Sequence, residues 1–286
     1  MKNNIKNALS CLIKRALDED VPFGDISTMA VVPKDLNAKG AVVSKGEYVV
    51  SGIDIAKKIY SAVDKKIEFK SRYKNGEIIK NGKILFHVYG AVHSLLKAER
   101  TALNVVSHMM GVATKTKHFV NMVKGAKTVI LDTRKTLPGL RALQKRAVTD
   151  GGGKNHRFSL SDAVLLKENH IAAVGGIKSA LKKVKKLKQK KVKIEIEVRN
   201  IKELKLALSA SIKPDIIMLD NMSVKNTRQA VKLVKGRVKL ESSGGINEKN
   251  IKQYAGTGVD FISLGSITHS APSADLSFVL DAVGKK

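Results

Sequence analysis

The chain has 286 residues, 43% of them apolar, and carries 53 Lys+Arg against 25 Asp+Glu for a formal net charge of +28. That length suits one large or two modest soluble domains with their own cores. The single cysteine, Cys11, excludes an internal disulfide and argues against a cysteine-based zinc site, and no segment reaches the roughly 18 continuous apolar residues of a membrane span.

Residues 4–18 place Ile5, Leu9, Leu12, Ile13, Ala16 and Leu17 at helical spacing, which predicts an amphipathic helix ended by Asp18-Glu19-Asp20 and Pro22-Phe23-Gly24-Asp25. Between 38 and 90, short β-type runs at 41–43, 48–50, 67–69 and 84–88 alternate with turn signals such as Asn75-Gly76 and Asn81-Gly82, and 52–62 fits a short helix. This predicts a small, mostly antiparallel α+β domain. Residues 91–124 turn helical, with Leu95, Leu96, Leu103, Val106, Met109 and Met110 forming the apolar face.

From about 127 the pattern repeats strand, loop, helix. Strands are expected at 129–131, 163–166, 193–198, 216–219, 238–241 and 261–264. Helices are expected at 138–148, 177–190, 201–210, 224–234 and 248–256. Alternation at this spacing implies a parallel sheet, and six clear strands with one more possible, rather than eight, fit an incomplete TIM-like α/β barrel. The tail from 273 reads as a final helix. The expected division is therefore an N-terminal α+β sandwich domain over 1–115 and a barrel domain over 116–272, with a C-terminal helix, 273–286, packing back on the first.

Most of these strands end in polar residues: Asp132, Lys167, Glu197, Asp220, Ser242 and Gly265. In a parallel barrel such ends converge on one face and form the active site. Thr133, Arg134 and Lys135 follow one strand, His156 and Arg157 follow the triple glycine 151–153, and Lys167 to His170 follow another strand. Together they predict a cationic pocket for a substrate with several negative charges. Arginine usage agrees: only 10 arginines occur, and Arg100, Arg134, Arg141, Arg146 and Arg157 fall in one stretch. Arginine offers carboxylate and phosphate a planar fork that lysine lacks. Two later loops, Glu241-Ser242-Ser243-Gly244-Gly245-Ile246 and Leu264-Gly265-Ser266, have the small residues that let backbone N–H groups approach a phosphate.

Asp132-Thr133-Arg134-Lys135-Thr136 with Pro138 to Arg141, the triple glycine with Asn155-His156-Arg157, and Lys167-Glu168-Asn169-His170 together resemble the quinolinate phosphoribosyltransferase family. Asp25 to Thr28 and Glu99-Arg100-Thr101-Ala102-Leu103-Asn104 extend the resemblance. It implies a pentosyltransferase that joins quinolinate to phosphoribosyl pyrophosphate and releases pyrophosphate and CO2, giving nicotinate mononucleotide for NAD biosynthesis. It further implies that Arg134, His156, Arg157 and the partner's Arg100 bind the two carboxylates, that Lys135 and Lys167 neutralise phosphate, and that Glu197 and Asp220 serve ribose hydroxyls and Mg2+. Thr133 joins this set, and Ser243, Gly244, Gly245, Leu264, Gly265 and Ser266 would hold phosphate. Lys135, Lys167, Glu197 and Asp220 are the expected catalytic residues. Glu195, on the same strand face as Glu197, is a weaker candidate.

Mg2+ is expected with the diphosphate and no organic cofactor, in a homodimer or higher oligomer with shared sites. With no apolar signal core, a cytoplasmic location is expected. Leu137, Arg146, Ser159 and Arg199 depart from the family's usual residues. Two rivals remain: a nicotinate phosphoribosyltransferase without decarboxylation, and a basic RNA-binding protein. Lysines spread along the chain, no Trp and 4% aromatics disfavour the second.

Overall fold

The computed structural model describes residues 2–282. In chain order the elements are α1 (Lys2–Asp20), α2 (Ile26–Val31), β1 (Asn37–Ser44), β2 (Tyr48–Val49), α3 (Ile53–Val63), β3 (Glu68–Lys70), β4 (Ile78–Ile79), β5 (Ile84–Ala91), α4 (Val92–Met122), β6 (Val129–Leu131), α5 (Arg141–Asp150) and β7 (Val164–Leu166). They continue with α6 (Glu168–Ala173), α7 (Ile177–Lys183), α8 (Lys185–Gln189), β8 (Ile194–Val198), α9 (Ile201–Ser209), β9 (Ile216–Asp220), α10 (Val224–Val234), β10 (Lys239–Ser243), α11 (Ile251–Ala255), β11 (Phe261–Ser263), α12 (Ser266–His269) and β12 (Leu276–Ala282). Two compact units result: residues up to 117 with 137–152 and the chain from 270, and residues 118–136 with 153–269.

The first unit is built on an antiparallel sheet of order β12-β1-β5-β3, with β2 and β4 forming a separate pair. Ile55, Ile59 and Tyr60 of α3 are fully buried, and Tyr60 meets Phe86 edge-on at 6.1 Å between ring centroids. Each such apolar side chain contributes roughly 1.5–3 kcal/mol by leaving water. Asp25 caps α2, its side chain accepting the Thr28 N–H, a contact worth about 1 kcal/mol. α5 is tied in by Arg146, which pairs with Asp54 at 2.6 Å, and by Asp150, which accepts the Ser51 hydroxyl at 2.6 Å.

The expected helix over 273–286 is corrected. Residues 276–282 form β12, paired with β1 from Ala38↔Ala282 to Ser44↔Leu276; 283–286 lie outside the described residues. Gly40 of β1 leaves room for the Phe278 ring, which a Cβ at that position would approach to 2.3 Å. The helix expected over 177–190 is broken at Val184 into α7 and α8.

The second unit holds six strands in the order β6-β11-β10-β9-β8-β7, all neighbours parallel. β6 and β7 are the edges, so the barrel is incomplete among the described residues. The stretch after the triple glycine runs along β6: Lys154 N–H donates to Ile130 O at 2.9 Å and Lys154 O accepts from Asp132 N–H at 3.2 Å. β8, Ile-Glu-Ile-Glu-Val, is buried at every position. Period two turns Ile194, Ile196 and Val198 to one side and Glu195 and Glu197 to the other. Barrel interiors are usually filled by branched aliphatic side chains, so acids there mark a place where solubility and packing did not decide the residue.

Candidate active site

The C-terminal ends of β6, β7, β9, β10 and β11, with the loops that follow them, line a cavity of about 620 Å3, within the usual range for small-molecule sites. Its cationic wall follows β6 and β7. Asp132, fully buried, accepts the His156 backbone N–H at 2.8 Å and so fixes the turn that presents His156 and Arg157. Arg157 Nη1 donates to Ala163 O at 3.1 Å. The Nε atoms of Arg157 and Arg134 are buried and have no hydrogen-bond partner among the described residues. Burial, and then the neighbouring Arg134, hold the Arg157 guanidinium below its ordinary value. Two adjacent guanidiniums with donors to spare form a receptor for a desolvated anion.

Lys135 is held from both sides: its N–H donates to Thr133 Oγ1 at 3.0 Å, and its carbonyl accepts the Thr268 hydroxyl at 2.7 Å. A Cβ at Gly265 would stand 3.0 Å from Lys135 Cδ, so the glycine lets that side chain lie against the backbone. Across the cavity, Gly244 has φ +89°, and a Cβ there would come within 2.2 Å of Asn221 Oδ1. Asn221, itself left-handed at φ 51°, donates its N–H to Ser243 O at 2.8 Å and its Nδ2 to Asp220 Oδ2 at 2.9 Å. The loops after β9 and β10 thus brace each other and keep the backbone of 243–245 open to the cavity.

A family model for the quinolinate phosphoribosyl transferase C-terminal domain matches residues 112–279, and one for the N-terminal domain matches 25–110. The chain belongs to the quinolinate phosphoribosyltransferase family. It is 43% identical over 274 residues to the nicotinate-nucleotide pyrophosphorylase of Mycobacterium leprae, covering 94% of this chain and 95% of the relative. It is 42% identical to the probable enzyme of Methanocaldococcus jannaschii, covering 93% and 95%. The solved nicotinate-nucleotide pyrophosphorylase of Francisella tularensis superposes with a TM-score of 0.92 at 40% identity, covering 96% of each chain.

Of the site residues expected from the family's motifs, all but Arg100 and Glu197 line this one cavity. Glu197 is buried at the end of β8 and receives Lys167 Nζ at 2.7 Å. It borders a smaller hollow with Glu168, Arg199 and Glu203. Arg100 belongs to the first unit, where its exposed side chain lies 3.6 Å from Glu99. His170 does not line the cavity; its Nδ1 accepts the Lys167 N–H at 3.0 Å, which orients the lysine's turn.

The departures from the family pattern also find places. Arg199 bridges Glu168 at 2.6 Å and Glu203 at 3.0 Å. Ser159 accepts the Ser161 N–H at 3.1 Å inside a turn that Asp162 organises. Motif reasoning missed Glu241, Met218 and His269, which also line the cavity. The signal that could have found Glu241 is its spacing of two from Ser243 on one strand, which puts both on the same face.

Proposed function

We propose that the chain joins the phosphoribosyl group of phosphoribosyl pyrophosphate to the ring nitrogen of quinolinate and releases pyrophosphate and CO2, a pentosyltransferase step that yields nicotinate mononucleotide for NAD biosynthesis. The observation that carries this reading is the pair Arg134 and Arg157, whose buried Nε donors have no partner among the described residues, in a cavity that also holds Lys135, Lys167 and the open glycine backbone at 244–245. A pyridine dicarboxylate fits the guanidinium end. The diphosphate and 5′-phosphate fit the lysines and the loops after β10 and β11. A nicotinate substrate, with one carboxylate, would leave part of that cationic wall unpaired, at a cost.

As pyrophosphate leaves, the ribosyl carbon gains positive charge, and the Asp220 carboxylate at the end of β9 favours it. The cationic side chains stabilise the leaving group. The ribosylated ring nitrogen is then positive and draws electrons from the adjacent carbon as CO2 departs. Asp220, on the cavity wall, would hold Mg2+ carried in with the diphosphate, whose charge the ion would help neutralise, whereas Glu197 is already engaged by Lys167. No described helix is long and apolar enough to cross a membrane. The test is release of labelled CO2 from carboxyl-labelled quinolinate with phosphoribosyl pyrophosphate and Mg2+. Stoichiometric CO2 and pyrophosphate are expected. Product from nicotinate but none from quinolinate would replace this reading with the non-decarboxylating one.

A further inference from the structure

The binding roles above leave the floor of the cavity unused. Register pairs Glu241 with Met218 one pleat below the Ser243–Asp220 pair, and both Glu241 and Met218 face the cavity. Glu241 is fully buried, and neither of its oxygens completes a well-formed hydrogen bond among the described residues. Glu195 of β8, also buried, faces it, and His156 sets its Nε2 3.0 Å from Glu195 Oε2 and 3.7 Å from Glu241 Oε2. One ligand-type atom from each of the three lies within 4.8 Å of the others.

That spacing suits a divalent cation or a shared proton. The imidazole decides between them. His156 Nδ1 accepts the Arg157 N–H at 2.7 Å, so the ring's own proton sits on Nε2 and points at the carboxylates. A metal would need that nitrogen bare. Two facing carboxylates away from water cannot both ionise. Burial first, and Glu195 second, push the Glu241 carboxyl up to about 8, against the opposing pull of His156, Ser263 of β11 and Lys167 after β7. At neutral pH a carboxylic acid therefore stands beside the substrate cavity.

We propose that Glu241 is the acid that protonates the ring carbon left bare when CO2 departs. This rests on the activity inferred above. The bond between the ring carbon and its carboxylate breaks, and its electron pair stays on the ring carbon next to the ribosylated nitrogen. The Glu241 O–H bond then breaks, its proton passes to that carbon, and CO2 leaves. Glu241 remains as a carboxylate and regains a proton from water after the product departs. Without a proton donor the carbanion recaptures CO2, so the donor commits the step.

The test follows pyrophosphate and CO2 together in single turnovers of the full-length protein with quinolinate, phosphoribosyl pyrophosphate and Mg2+. Glu241→Gln keeps the shape and removes the transferable proton. Expected are pyrophosphate release close to wild type, CO2 release slowed roughly a hundredfold or more, and accumulation of the dicarboxylate mononucleotide. CO2 keeping pace with pyrophosphate in the variant overturns the proposal, as does equal loss of both with quinolinate binding gone, the mark of a structural role. Should the variant not fold, the wild type decides. Its CO2-to-pyrophosphate ratio early in turnover should fall as pH rises past about 8, and a constant ratio overturns the proposal. A wild type that releases neither product contradicts the activity itself.

Discussion

Arg134 and Arg157 repel each other across a partly dehydrated cavity, and an anion between them relieves that repulsion. Arg134→Ala or Arg157→Ala should therefore weaken quinolinate binding by roughly 2–5 kcal/mol, the range for a charged partner lost from a desolvated pair. Thermal stability should hold or rise slightly. Calorimetric titration checks the first expectation, and unchanged affinity in both variants would remove the pair from the site. Gly244→Ala tests the phosphate side, since it adds a Cβ 2.2 Å from Asn221 Oδ1 at a left-handed residue. Strain of about 1–3 kcal/mol is expected, with a raised KM for phosphoribosyl pyrophosphate and little change for quinolinate. Glu241 should also show in stability against pH. Its folded carboxyl binds a proton more tightly than the unfolded one, whose pKa is about 4.3. The folded state is thus increasingly penalised as pH rises from that value toward about 8. Glu241→Gln escapes the penalty, so its Tm should gain on wild type between pH 5 and pH 8, by an amount that grows with pH.

The elements most readable in advance were those whose pattern is local. α9 and α10, expected at 201–210 and 224–234, lie at Ile201–Ser209 and Val224–Val234, where Asn200 and Ser223 cap them by accepting the N–H groups of Glu203 and Asn226. β8 announces itself by the period-two alternation of Ile194, Ile196 and Val198 with two glutamates, and β9 by the continuous apolar run 216–219. β12 was not readable: Leu276-Ser-Phe-Val-Leu-Asp-Ala suits a helix or a strand alike, and pairing with β1, more than two hundred residues earlier, settles it. The cationic wall was legible because arginine is scarce elsewhere, while Glu241 was hidden behind the more familiar Ser-Gly-Gly that follows it. α5 offers a test at this scale. Asp54 is held below the usual carboxylate range: its own burial pushes up, but Arg146 outweighs that. Asp150, on the same helix, is pushed up by burial. The Asp54 contribution is present above its unfolded value, about pH 4, and is lost as pH falls through its lower folded value. The Asp150 shift has the opposite sign, costing stability as pH rises above the same point. Arg146→Ala should therefore lower Tm near neutral pH and lose its effect toward pH 3; both groups are half-exposed, so a shift of a few degrees is expected.

At the scale of the molecule, the first unit exposes Phe23, Ile26, Met29 and Val31, at 97%, 79%, 64% and 79%. A run of large apolar side chains on and beside one short helix is what a covering partner would bury. Arg100, in the same unit, is exposed and, among the described residues, has only its neighbour Glu99 within ion-pair distance. The family resemblance implies that this arginine completes a partner's carboxylate site. We predict a functional dimer in which Arg100 acts in trans, with Phe23→Ser weakening assembly. Closed two-fold symmetry gives such a dimer two equivalent sites. Arg100→Ala and Arg157→Ala proteins should each be inactive alone. Mixed under conditions that allow exchange, about half of the dimers contain one of each chain. In those dimers one site collects both substitutions and the other collects neither, so roughly a quarter of wild-type sites should return. Native mass measurement confirms exchange. If mixed dimers form and activity stays absent, Arg100 serves its own chain or only the fold, and the exposed apolar run needs a different partner.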